Sequence, residues 1–331
     1  MSAVNLAPME YQLLVDDKKG NVFELSATSL TWKTQRTGRA GSLEFTFLGG
    51  DKFSVQSDFE LSCGDMIRLE VNGDVIFYGY LFSVESNDGE TFSATAYDQL
   101  RYLMYNDTYV FVGKTATEII KQIAGDFKIT LGPVTDTKYA IPKLSFDNEK
   151  LLDMITEALS ETTYNMKKTY VLYDDAGKLT LSNIEDMRLS IALGDYSMLS
   201  GYTYKESIDD DTYNRIKLVR DNKESGGRDV YIYQDSANIA KWGVLQYFEI
   251  VDEGYNAAMV SARGETLAGL KNRLGKSFKL SSMGDVSCRA GKAVYIEISD
   301  LSVKQFFLIE DATHRFEGND YTMDLTLKVV D

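Results

Sequence analysis

The chain has 331 residues, 44% of them hydrophobic, a length for two or three domains and a composition that excludes global disorder. Its formal net charge of −15 and pI near 4.7 argue against sequence-independent binding to nucleic-acid phosphates. No apolar run reaches the roughly 18 residues of a membrane span, and the opening MSAVNLAPMEYQLLVDD lacks the basic-then-apolar order of a secretory signal.

Residues 10–62 carry strand patterns. Tyr11, Leu13 and Val15 alternate, Asp16 to Gly20 make a polar turn, and Val22, Phe23 and Leu25 follow. Ser29 to Lys33 is another strand, Thr37 to Ser42 a flexible loop, and Leu43, Phe45 and Phe47 alternate again. From Gly64 the chain reads as strand, strand, turn and strand. Residues 1–112 are therefore expected to form an all-β module, a barrel or compressed sandwich.

The period changes at Asp98, which is placed to cap a short helix carrying Leu100, Leu103 and Met104. Thr115-Ala116-Thr117-Glu118 is a capping box that opens a helix with Ala116, Ile119, Ile120 and Ile123 on one face and Gly125 at its end. Phe127, Ile129 and Leu131 read as a strand, and Leu151, Leu152, Ile155, Ala158 and Leu159 as an amphipathic helix beginning near Asn148. Tyr170 to Leu181 is a hairpin turning at Asp174-Asp175-Ala176-Gly177. Residues 113–197 thus predict a small mixed α/β domain. Strand patterns return over Gly201 to Tyr204, Arg215 to Val219 and Val230 to Tyr233. Residues 255–275 predict a helical insertion, with Ala258, Met259, Ala262, Leu267, Leu270 and Leu274 as its buried set. Residues 198–331 form the last domain.

The ends of the chain resemble each other. Gly64 aligns with Gly291, and Ile67, Leu69 and Val71 with Val294, Ile296 and Ile298. By the same pattern Phe82, Val84 and Glu85 align with Phe307, Ile309 and Glu310, and Phe92, Ala94 and Ala96 with Tyr321, Met323 and Leu325. The fold class expected is mainly β with α+β: two related β-barrels flanking the small α/β domain, the second barrel carrying the helical insertion.

Little catalytic chemistry is legible. Cys63 and Cys288 have neither zinc nor disulfide spacing, and each precedes a repeat glycine, so both are expected to face a core. His314 is the sole histidine; Cys288 before His314 is the order of a cell-wall amidase, but a cysteine ahead of a strand lacks the helix N-terminus that lowers a thiol pKa. No catalytic zinc site fits one histidine. Asp209, Asp210 and Asp211 lack the spacing of a cation loop and read as a solvated turn. Phosphate-binding glycine loops are absent, and the 21 tyrosines suit cores and interfaces, with carbohydrate stacking as the competing use. No cofactor, metal ligand or catalytic residue is assigned.

Several stretches taken together resemble the XkdQ-like baseplate hub proteins of contractile phage tails, PBSX-type prophages and R-type bacteriocins, relatives of VgrG-type proteins. They are Leu30-Thr31-Trp32 with Leu43 to Phe47, Asp65 to Val84, Tyr97 to Leu103, Gly113 to Ile120, Tyr173 to Leu179, and Gly243 to Glu249. The resemblance spans nearly the whole chain and implies a non-enzymatic homotrimer whose six barrels make a ring joining the sixfold tail tube to a threefold central spike. It implies as partners the tail tube protein, the central spike protein, the tape measure and other baseplate proteins, LysM-containing ones among them. The setting implied is a phage tail or bacteriocin particle assembled in the bacterial cytoplasm, with no specific nucleic-acid binding. Some hubs carry a lysozyme-like or peptidase domain; this sequence stops at Asp331, after the second repeat, which leaves no room for one. The charge of −15 suggests an acidic ring lumen. The competing expectations are a peptidoglycan hydrolase built on Cys288 and His314, and a carbohydrate-binding tail adaptor built on exposed tyrosines.

Overall fold

Alternating apolar residues build most of this molecule. A computed structural model describes residues 10–49, 54–56, 59–86, 90–195, 197, 199–209, 211–223 and 225–329. The first segment contributes β1 (Tyr11–Asp16), β2 (Val22–Glu24), β3 (Ala27–Gln35), β4 (Ser42–Leu48), β5 (Ser54–Gln56), β6 (Phe59–Glu60), β7 (Met66–Val71), β8 (Asp74–Ser86) and β9 (Thr91–Tyr97). In β4, Leu43, Phe45 and Phe47 turn inward and are almost wholly buried, as a period of two requires.

Asp98 then caps a 3₁₀ turn, Gln99–Met104. Next come β10 (Asn106–Lys114), α1 (Ala116–Asp126), β11 (Leu131–Val134), β12 (Ile141–Lys150), α2 (Leu151–Met166), β13 (Tyr170–Asp174) and β14 (Leu179–Asn183). The expected capping box is formed, with Thr115 and Glu118 each accepting the other's backbone N–H. Ile119, Ile120 and Ile123 pack on Leu151, Met154, Ile155 and Ala158 in one core. The strand expected at Phe127 instead starts at Leu131, because Phe127 closes α1 and Lys128 takes a left-handed turn.

The remainder holds β15 (Arg188–Gly194), β16 (Leu199–Ser207), β17 (Arg215–Asn222), β18 (Gly227–Gln234), α3 (Ser236–Trp242), β19 (Gln246–Val251), α4 (Ala257–Lys271), β20 (Gly275–Met283), β21 (Ala293–Ile298), β22 (Val303–Glu317) and β23 (Asp320–Val329). The insertion between β16 and β20 is larger than the helix expected: α4 covers one face of a three-stranded sheet ordered β18-β17-β19. Val230, Ile232, Phe248 and Ile250 are exposed on that sheet. Of the six residues expected to be buried, Leu274 lies beyond the end of α4 and only Leu267 is buried; the inward face is Val260, Arg263, Gly264, Thr266 and Leu267. The helix is rotated because a charged group, Arg263, finds its partners inside, and because Gly264 gives the Tyr233 ring room that a Cβ would fill.

The two terminal β segments share one strand order over five strands. β3-β4-β9-β8-β7 in the first corresponds to β16-β20-β23-β22-β21 in the second; the sixth strand differs, β1 running antiparallel to β7 and β15 parallel to β21. Equivalent hydrogen bonds fix the correspondence. Gly64 N–H donates to Leu81 O and Gly291 N–H to Ile309 O, both at 2.8 Å; Leu81 N–H returns to Asp65 O and Ile309 N–H to Lys292 O, both at 2.9 Å. Both glycines hold positive φ, +97° and +90°, where a side chain is strained. Leu81 therefore matches Ile309, which corrects the alignment of Phe82 with Phe307. Each long strand bulges directly after this residue, at Phe82 and at Glu310. A bulge inserts one residue and reverses the inside–outside alternation, so apolar pattern alone slips across it. Beyond the turn, whose residues 87–89 lie outside those described, Phe92 matches Met323 rather than Tyr321, an even shift to which a period-two pattern is blind.

The barrel expectation is modified. The large sheet has thirteen strands: eleven form one open path from β16 to β2, β22 lying between the segments, and β21 with β15 branches from β22; no closed barrel occurs among the described residues. On its β21 side, β22 pairs first with β21 through Val303–Leu308 and then with β3 through Asp311–Phe316. The outer edge of β3, where a first barrel would close, is thus taken by a strand of the second segment.

Candidate functional site

Cys288 and His314 do meet, but not as nucleophile and base. His314 Nε2 lies 2.9 Å from the Cys288 carbonyl oxygen and Nδ1 lies 2.8 Å from the Tyr321 hydroxyl. A carbonyl only accepts, so Nε2 carries the proton and Nδ1 accepts from Tyr321. The ring stacks on Trp32 at 4.8 Å and is wholly buried. Burial lowers its pKa to about 4, and burial pushes the Cys288 thiol up to about 12. A neutral thiol beside a satisfied, neutral imidazole does not support the hydrolase reading. Cys63 is a correction of the opposite kind: it is exposed, its Sγ 3.4 Å from Phe82 O.

His314 carries a pH prediction. Its folded pKa of about 4 lies below the ordinary 6.5, so the unfolded chain binds the extra proton. The neutral ring's contribution is fully present above pH 6.5 and is lost as pH falls toward 4, roughly 3 kcal/mol at full effect. His314→Gln is expected to flatten that part of the stability curve, measured by urea titration at several pH values. Parallel curves for the variant and the parent would refute the assignment.

The acidic turn and two buried clusters are the other places where charged groups gather. Asp211 pairs with Lys271 at 2.6 Å, Asp209 N–H donates to Ser207 Oγ, and Asp210 lies outside the described residues. Among the described residues no group of three His, Cys, Asp or Glu side chains is placed to hold a metal. Asp98 accepts the N–H groups of Leu100 at 3.0 Å and Gly41 at 2.9 Å. A Cβ at Gly41 would stand 2.5 Å from that carboxylate, so the contact requires glycine. Burial raises the Asp98 pKa well above its ordinary value; the Asp174 charge adds to the rise and Arg289 opposes it. Arg289 also donates to the Asp174 carbonyl at 2.8 Å, and Ala290 N–H donates to Thr34 Oγ1 at 2.9 Å. This buried cluster pins β3, the β13 turn and the segment before β21 together.

A second cluster ties α2 to the insertion. Arg263 reaches Glu161 at 2.8 Å and Glu249 at 2.7 Å, and Tyr255 donates to Glu161 at 2.8 Å. Burial alone would lower the arginine's pKa; the two glutamates more than reverse this and raise it. Sequence reading missed this cluster. The only trace of it is an arginine three residues after Val260 and four before Leu267, on the stripe those two define.

The tyrosines are mostly covered: among the described residues only Tyr105 and Tyr202 are exposed, too few for a stacking surface. Among the described residues, what remains open is backbone. β16 pairs with β20 along one side and ends the sheet on the other. On β8, residues 83–86 pair with β9, while β7 stops opposite Tyr80. Unpaired strand edges of this kind seek partners.

The YqbQ-like family profile matches residues 30–328. The chain belongs to the YqbQ-like family. Within it, the chain is 33% identical over 319 residues to the YqbQ protein of Bacillus subtilis (strain 168), covering 95% of both chains. It is 32% identical over 313 residues to the phage-like element PBSX protein XkdQ of the same strain, covering 93% of both. The family resemblance expected from the sequence is thereby met. Among solved structures, the prophage MuSo2 43 kDa tail protein of Shewanella oneidensis superposes with a TM-score of 0.72 at 14% identity, over 96% of this chain and 98% of that one. This YqbQ-like chain therefore shares that protein's fold.

Proposed function

We propose that this chain is a structural protein of a phage-type tail baseplate, a trimeric hub joining the sixfold tail tube to the threefold spike. One observation carries the reading: two β segments with the same strand order lie in one sheet, joined through β22. Three such chains supply six equivalent segments, the number a sixfold tube presents. The kinship with the PBSX protein XkdQ and the fold shared with a prophage tail protein support it. On this reading residues 1–112 and 198–331 are the two barrel-type hub domains, the second joined by β15 (Arg188–Gly194), and the rest of residues 113–197 with the insertion stands outside the ring. The partners are the tube, the spike, the tape measure and other baseplate proteins, within a tail or bacteriocin particle assembled in the cytoplasm. No catalytic step is assigned to it.

The test is the light-scattering mass of the full chain, alone and mixed with its neighbouring tail proteins. Three chains per particle in either condition is expected. A monomer that ignores both tube and spike would remove the hub reading, and glycan affinity in such a monomer would favour the carbohydrate-binding adaptor.

A further inference from the structure

We propose that Ser83–Ser86 of β8 pair with the open edge of β16 in a second copy of this chain, antiparallel, reproducing between subunits the β22–β3 junction found within one. The inference rests on the trimeric reading above and names the surfaces that would close it.

The correspondence is residue by residue. β3 and β16 both bulge near their starts, at Thr28 and at Ser200. Opposite them, Phe45 and Leu280 occupy equivalent places through their partners Ala94 and Leu325. Leu30 and Trp32 therefore match Tyr202 and Tyr204. On the donor side the shared bulge matches Asp311, Ala312, Thr313 and His314 with Ser83, Val84, Glu85 and Ser86.

Within the chain, Asp311 stands opposite Gln35, Ala312 opposite Thr34, Thr313 opposite Lys33 and His314 opposite Trp32. Transferred through the repeat, Ser83 stands opposite Ser207, Val84 opposite Glu206, Glu85 opposite Lys205 and Ser86 opposite Tyr204. The transferred register places a carboxylate directly across from an ammonium, a favourable cross-strand pair.

Burial points the same way. Leu30 and Trp32 are 1% and 3% exposed beneath β22, whereas Tyr202, at the place of Leu30, is 42% exposed. Val84 is half-buried where its counterpart Ala312 is 1% exposed. Where the partner strand is present the side chains are buried; where it is absent Tyr202 is exposed, and Tyr204 and Val84 are half-buried. A nine-residue edge carrying two tyrosines is a liability that folded proteins cover. A head-to-tail contact between unlike edges can close into a ring of three, whereas a β16-to-β16 contact stops at two.

The test uses the full chain produced with its neighbouring tail proteins, with Cys63→Ser to remove the exposed thiol. Directly opposed residues on paired strands are close enough for a disulfide. Glu85→Cys combined with Lys205→Cys is expected to give, on oxidation, a covalent ladder ending at three chains, with neither single variant doing so. Independently, Glu85→Lys should reduce the three-chain mass to one, and adding Lys205→Glu should restore it, with circular dichroism reporting that each variant is folded. A three-chain mass that survives Glu85→Lys while the cysteine pair stays unlinked overturns the edge pairing and leaves the hub intact. A ladder ending at two chains, or crosslinking of the Lys205→Cys single variant, overturns it in favour of a β16-to-β16 dimer. No three-chain mass for the parent under any condition removes both proposals.

Discussion

Arg263→Met is expected to destabilise the chain by about 3–5 kcal/mol, because it strands two glutamates inside the fold. Arg263 and Glu161 keep only 10% and 11% of their side-chain surface exposed, and Glu249 keeps 19%. Removing the guanidinium leaves the Tyr255 hydroxyl donating to Glu161 with no cation beside it, so one or both carboxylates must take up a proton or draw in water. The loss should be read from the urea midpoint at neutral pH and should shrink at acid pH, where protonation removes the unpaired charge. The contrast is Lys223→Ala: Lys223 pairs with Glu253 at 2.6 Å, but the two side chains are 78% and 52% exposed, and solvent screening leaves no measurable change. Equal effects from the two substitutions would show that burial does not set the strength of the Arg263 cluster.

Phe316→Ala is the other large effect, about 3–5 kcal/mol for a fully buried phenylalanine. Phe316 belongs to β22, yet its ring lies in the core formed by Leu30, Trp32, Phe45 and their neighbours, stacked on Tyr321 at 4.4 Å and 5.5 Å from Tyr11. The cavity therefore opens under β1 and β3, while the Phe278–Phe307 core of the second segment is untouched. Calorimetry of the variant should show the first segment melting before the second, where the parent melts as one. Leu48→Ala, at a position 60% exposed, serves as the neutral control. A single transition in Phe316→Ala would mean that Asp98, Arg289 and Thr34 hold the segments together without the ring.

Much of the chemistry of this molecule is a story of groups withdrawn from reaction. Cys288 and His314 are adjacent, as a catalytic pair would be, but the imidazole spends both nitrogens on a carbonyl and a tyrosine hydroxyl. Which of a cysteine's atoms faces a histidine is a matter of backbone path, and no spacing of Cys288 from His314 contains it.

Local signals set the elements. The Thr115–Glu118 box, the Asp98 cap and the turn at Asp174–Gly177 sit where short-range sterics and side chain-to-backbone hydrogen bonds put them, because those interactions span only a few residues. The repeat was also legible, through Gly64 and Gly291 and the alternation that follows each, along with the family it resembles. Three things were decided only by tertiary structure. The bulges at Phe82 and Glu310 set the register of the repeat, since a one-residue insertion leaves no mark on composition. The inward face of α4 was set by partners on α2 and β19, 102 and 14 residues away from Arg263 in sequence, whose carboxylates turned a charged position into a buried one. The passage of β22 from β21 to β3 joined both segments into a single sheet, because strand pairing depends on which edges are brought together in space, and an edge has no signature in the sequence that bears it.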